Sequence, residues 1–141
     1  MVDDWKEFPL SQLYDFCSGL SKSRSAFGSG YGFLSFKDVF YNFFVPDKLS
    51  ELVNSTEKEQ ESFSIKRGDV FLTRTSETMD ELGMSCVSLK DYKSATFNGF
   101  TKRLRPKSDS NIVPEYAAYF FRSPKFRNEI TAMSSLSTSR S

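Results

Sequence analysis

Residues 1–141 predict one α/β (α+β) domain: a curved, mixed or mostly antiparallel sheet with a short N-terminal helix and two C-terminal helices. Three observations carry this. Apolar and polar residues alternate through the middle of the chain, the period of a half-buried strand. From Pro114 onward the spacing turns helical, with prolines where first helical turns accept them. Aromatics make up 16% of the chain, 15 of them Phe being the main contribution, so an aromatic core fits a length of roughly one 100–200-residue domain.

The elements follow in order. "PLSQLYDF" predicts a short helix after Pro9, with Leu10, Leu13 and Tyr14 on one face. "CSGLSKSRSAFGSG" has no apolar period and predicts a long loop. "FLSFKDVF" alternates and predicts a strand over 33–40; Asp38, on its apolar face, fits a cap on neighbouring amides better than a catalytic acid. "VPDKLSELV" predicts a helix with Leu49, Leu52 and Val53 inward, followed by a mobile acidic connection. "SFSIK" and "VFLTR" predict a hairpin over 63–74, closed by "RGD", where Gly68 supplies a positive φ. Strands are expected over 84–89 and 95–105. "PEYAAYFFR" predicts a helix burying Tyr116, Tyr119 and Phe120, and Ser123 caps a second, "PKFRNEITAM", with Phe126, Ile130 and Met133 inward.

Composition removes several chemistries. The chain has no histidine, which excludes Ser-His and Cys-His nucleophilic pairs and His-containing zinc sites. It contains no GxxxxGK[ST], and "GSGYG" lacks the dinucleotide-binding spacing. Scattered acids such as Asp38, Glu77 and Asp80 fit solvated surface groups, so no enzyme activity and no cofactor are expected. Cys17 and Cys86, without CxxC spacing, predict two buried free thiols rather than a disulfide or metal pair. No run approaches the roughly 18 apolar residues of a membrane span, and the acidic "MVDDWKEFPL" is unlike a secretory signal, so a cytoplasmic protein is expected.

Net charge is +1, but it is unevenly placed: residues 1–60 hold six Lys/Arg against nine Asp/Glu, and residues 61–141 thirteen against nine. The densest basic point is "TKRLRPK", where a strand would put Arg103 and Arg105 on one face and Lys102 on the other. Such a cluster fits either phosphate contact or a solvated face.

Several loose motifs then occur in one order: Trp5, Leu10, "SGLSK" at 18–22, "FGSGYGFLSFKDVF", "IKRGDVFLTRTSET", Gly83, "ATFNGFTKRLRPK", "PEYAAYFFRSPKFRNEI" and "SLSTSR". Together they resemble a target recognition domain from the DNA specificity subunits of type I restriction-modification systems, along nearly the whole chain. Two departures stand out: such a subunit normally carries two recognition domains, and this chain ends before the family's spacer helix. The resemblance implies a single recognition domain over 1–141. It would hold double-stranded DNA, read one half of a split target and perform no chemistry, while methyltransferase (modification) subunits and a motor-nuclease (restriction) subunit act as partners. Because the family's recognition domain is held to the methyltransferase largely through spacer helices, weak or absent methyltransferase binding is expected of this chain alone.

On that resemblance, Ser21, Lys22, Arg24, Ser29, Gly30 and Tyr31 form a loop that approaches phosphate, with Gly30 letting the backbone come close. Lys37 adds a backbone contact or simply faces solvent, and Lys102, Arg103 and Arg105 supply further cations. Base reading falls to Arg74, Thr75, Ser76, Glu77 and Thr78, residue types that match base edges; an exposed Arg74–Glu77 ion pair is the competing explanation. The alternative from another class is a truncated or recombination-donor segment that acts, if at all, as a protein-interaction domain.

Overall fold

The computed structural model describes residues 10–73 and 84–126. A short helix α1 (Leu10–Leu13) runs directly into β1 (Tyr14–Ser18). After a 3₁₀ turn at Arg24–Ala26 come β2 (Phe27–Leu34), α2 (Phe36–Tyr41), β3 (Glu51–Val53), α3 (Glu57–Ser62), β4 (Val70–Thr73), β5 (Ser85–Val87), β6 (Thr96–Phe97), β7 (Thr101–Pro106) and α4 (Pro114–Phe121). The strands form two sheets. One is antiparallel, in the order β1-β7-β4-β5; the other is mixed, in the order β3-β2-β6, with β2 antiparallel to β3 and parallel to β6. The α+β class with a mixed or antiparallel sheet is therefore the fold observed.

Alternation along the central strand explains the layering. In β4, Val70 and Leu72 point to one side, where they join Tyr14, Val87, Leu104 and the α4 residues Ala117, Ala118 and Phe121. Phe71 points to the other side and meets Cys86, Leu34, Val39, Ile65 and Phe97, which belong largely to the smaller sheet and its connections. All four residues of β4 are consequently buried, as befits a strand covered on both faces. A third cluster of Leu20, Phe33 and Val53 extends the core beneath β2 and β3.

Several expectations are corrected. The strand expected over 33–40 ends at Leu34, because Ser35 starts a helix: its side chain accepts from Asp38 N–H while the Asp38 carboxylate accepts from Ser35 N–H. That reciprocal cap overrides the local alternation, and Asp38 is the cap expected. The glycine-rich end of the stretch expected as loop, residues 27–30, is the first half of β2. Residues 51–53 are a strand instead of a helix, and the supposed mobile acidic connection contains α3, closed by a Thr56–Glu59 capping box. "SFSIK" does not pair with β4: Ile65 bridges Tyr92, while Lys66–Asp69 make the turn, with Gly68 at φ +92° as expected. The strand expected over 95–105 divides at Asn98–Phe100 into β6 and β7, which belong to different sheets.

Helix α4 has Pro114 at its first turn, but its buried face differs from the expected one. Ala117, Ala118 and Phe121 turn inward, whereas Tyr116 and Tyr119 are 63% and 74% exposed. Two adjacent alanines let the helix lie close to β5, and the bulkier tyrosines cannot share that side. Ser123 caps the next turn through Phe126 N–H, and Phe126 is buried; Ile130 and Met133 lie outside the described residues. Both cysteines are free thiols, but only Cys86 is buried; Cys17 is partly exposed. Among the described residues no helix is long and apolar enough to cross a membrane.

Candidate nucleic-acid interface

Antiparallel pairing brings several chain segments to one end of the larger sheet. Thr73, the last described residue of β4, pairs with Thr101, the first of β7. Its N–H donates to Met84 O at 3.0 Å, and Met84 N–H donates to Thr73 Oγ1 at 3.2 Å, so residues 74–83 connect two strand ends that leave the sheet together. Arg74, Thr75, Ser76, Glu77 and Thr78 all lie outside the described residues. At the same end, Lys102 of β7 is placed between Ser18 of β1 and Leu72 of β4, and it has no hydrogen-bond or ion-pair partner among the described residues.

The turn that feeds β7 is internally fixed. Asn98 is buried; its Nδ2 donates to Leu34 O at 3.1 Å, and its Oδ1 accepts from Phe100 N–H at 2.9 Å and Thr101 Oγ1 at 3.1 Å. Gly99 sits under Ser21, whose Oγ would lie 2.3 Å from any Cβ at that position. Ser21 itself is exposed, immediately after Leu20, which bridges to Asn98. Sequence reasoning did not single out Asn98 or Phe100, although the Asn-Gly dipeptide is a strong turn signal.

A second feature is a bulge in β2. Phe27 and Tyr31 both face Val53 across the strand pair, so Gly28, Ser29 and Gly30 form an excursion between them. Both glycines have positive φ, at +106° and +107°. Their missing side chains serve different ends. A Cβ on Gly30 would lie 2.4 Å from Val53 O, so this glycine lets β2 approach β3; a Cβ on Gly28 would meet nothing within 4 Å. Ser29 and Tyr31 are exposed on this bulge, and Arg24 is exposed just before it without a partner among the described residues. Lys37, in the first turn of α2, is likewise exposed and unpaired among those residues.

Lys22 is engaged differently. Its Nζ donates to Asn54 O at 2.8 Å and to Glu59 Oε1 at 3.0 Å, tying the approach to β2 onto the start of α3. The Glu59 carboxyl is held below the usual carboxylate range, first by the Thr56 N–H it accepts and then by Lys22.

Arg103 and Arg105 share one face of β7 as expected, but that face is covered. Arg103 is 8% exposed; its Nη1 donates to Ser64 O at 2.8 Å, and its guanidinium lies 5.4 Å from the Phe97 ring centre. Burial, reinforced by the neighbouring Arg105, lowers its affinity for a proton. Arg105 makes a forked pair with Asp69, Nε to Oδ1 at 2.8 Å and Nη2 to Oδ2 at 2.7 Å, and this pairing holds the proton on Arg105 more tightly. The chain over 62–69 thus closes over both arginines, whereas Lys102, on the opposite face of β7, is half-buried. No group of three or more potential metal ligands occurs among the described residues.

The architecture resembles solved specificity subunits. Over 87% of its length the chain superposes on part of the HsdS subunit from Thermoanaerobacter tengcongensis, with a TM-score of 0.61 and 16% identity. Over 89% it superposes, with a TM-score of 0.61 and 17% identity, on a chain from a structure describing complex assembly and conformational transition of the type I R-M system. The chain spans 28% of the length of each. No family model and no curated protein matches the sequence. At this identity the likeness establishes a shared fold, one that the ordered motifs of the sequence had anticipated.

Proposed function

We propose that this chain is a target recognition domain of a type I restriction-modification specificity subunit. It binds double-stranded DNA and reads one half of a bipartite target. It carries out no chemistry and needs no cofactor; methylation and cleavage belong to the methyltransferase and motor-nuclease subunits of the full complex. The observation that carries this reading is the fold shared with HsdS along nearly nine-tenths of the chain.

The geometry supports a division of labour. Arg24, Lys37 and Lys102 are cations without partners among the described residues, and Ser21, Ser29 and Tyr31 are exposed hydrogen-bonding groups; these position the DNA backbone. Arg74, Thr75, Ser76, Glu77 and Thr78, between β4 and β5, carry base-edge chemistry: Arg for guanine, Glu for the cytosine amine, Ser and Thr for several edges. Lys22, Gly30, Arg103 and Arg105 act from within, holding the framework that presents both sets.

Equilibrium binding to a randomised duplex pool tests the division. Arg74→Ala or Glu77→Ala flattens preference at one target position, costing about 1–3 kcal/mol on the preferred sequence and little on random sequence. Arg24→Ala and Lys102→Ala weaken all sequences alike, each reducing the salt slope by about one unit. Equal loss on every sequence from Arg74→Ala would move that residue to the positioning set. No loss from either set would favour a protein-interaction role.

A further inference from the structure

Phe100 is a large apolar side chain left 62% exposed, with no ring partner among the described residues, on a turn that the fold takes care to immobilise. The Asn98 side chain holds the turn from below through Leu34 O, Phe100 N–H and Thr101 Oγ1. Above Gly99, Ser21 Oγ occupies the space any larger residue would need. Phe100 immediately precedes Thr101, whose strand partner Thr73 immediately precedes Arg74. It thus stands beside the end of β4 at Thr73, the last described residue of that strand, and two positions before Lys102, which has no partner among the described residues.

We infer that Phe100 is a base-contacting residue: its ring makes an apolar contact with the target bases while Lys102 holds an adjacent phosphate. This inference rests on the DNA-recognition reading above. An aromatic ring on a pre-ordered turn loses little further freedom when it docks, so its contact is translated efficiently into affinity. Two base features offer that apolar contact, a thymine methyl in the major groove or the face of a base step that the ring partly unstacks. The neighbouring cation suits a phosphate-lined groove in either case.

The test uses the full chain and the sequence that the wild type enriches from a randomised duplex pool. Phe100→Ala is expected to lower affinity for that duplex roughly tenfold or more, to relax preference at one position and to leave the salt slope unchanged. Phe100→Leu retains much of the affinity, and thermal melting of both variants matches the wild type because the ring is exposed. Replacing thymine by uracil in the duplex reproduces the loss if the ring contacts a methyl. Loss of a wild-type DNA bend, read by fluorescence transfer between labelled duplex ends, identifies a wedge. If the wild type enriches a sequence and Phe100→Ala binds it with the same affinity and preference, the role of Phe100 is overturned and DNA recognition stands. A uniform loss on all sequences with a reduced salt slope also overturns it, by making Phe100 a support for phosphate contact. Failure of the wild type to bind duplex DNA overturns both readings together.

Discussion

Replacing Arg105 by alanine separates a framework cation from a DNA-contacting one. In the folded chain Asp69 has no exposed surface; its carboxylate accepts two hydrogen bonds from Arg105 and one from Lys66 N–H at 2.7 Å. Arg105 also reaches Ser64, donating to its carbonyl at 3.3 Å and its hydroxyl at 3.2 Å. Alanine leaves the buried carboxylate with the Lys66 amide alone. Breaking a buried pair in this way costs about 3–5 kcal/mol; because the Arg105 side chain keeps 27% exposure, the lower end applies, about 3 kcal/mol. That is a large share of the roughly 5–15 kcal/mol that holds a domain folded. Arg105→Lys keeps the charge but loses the fork, and a smaller loss of about 1–2 kcal/mol is expected. Urea unfolding followed by far-UV circular dichroism measures both, and raising salt should change the difference little, since a buried pair is weakly screened. An Arg105→Ala chain that unfolds at the wild-type urea concentration, and whose DNA salt slope falls by about one unit, would refute the framework assignment.

Other perturbations probe the bulge, the Lys22 tether and the core. Gly28→Ala costs about 1–2 kcal/mol of backbone strain, while Gly30→Ala, whose Cβ would strike Val53 O, costs more and disturbs the β2–β3 pairing; amide exchange at Asn54 distinguishes them. The lowered Glu59 pKa means that its contribution is present above the unfolded carboxylate value of about 4.3 and is lost as pH falls through the lower folded value. Carboxyl-carbon NMR shifts should therefore place the Glu59 midpoint below that of a free glutamate, and Lys22→Ala should raise it. Burial pushes the Cys86 thiol up to about 12, so iodoacetamide should alkylate the partly exposed Cys17 in the native chain and reach Cys86 only on unfolding, as mass spectrometry would show.

What could be read from sequence, and what could not, follows from the range of the interactions. The mixed or antiparallel α+β class, the Gly68 turn, strand pieces near 70–73, 85–87 and 101–106, and Pro114 opening a helix all rest on local periodicity or turn chemistry. Two capping boxes were equally local, Ser35–Asp38 and Thr56–Glu59, but alternation and acidity in the same windows pointed elsewhere. The fate of Arg103 and Arg105 was not legible: alternation puts them on one face, yet only the tertiary placement of residues 62–69 covers that face. The same holds for α4, where 3.6-residue spacing admits either an aromatic or an alanine face and packing against β5 selects the alanines. Gly30 was recognisable as a close-approach position, but the approaching backbone proved to be β3 of the same chain.

The most direct test of the central claim is a salt titration of the wild-type chain on duplex DNA, run with selection from a randomised pool. With Arg24, Lys37 and Lys102 available as phosphate contacts, log affinity should fall against log salt with a slope between about −1 and −3, and the pool should enrich one short contiguous motif. A flat salt dependence together with no enriched sequence would contradict DNA recognition by this chain.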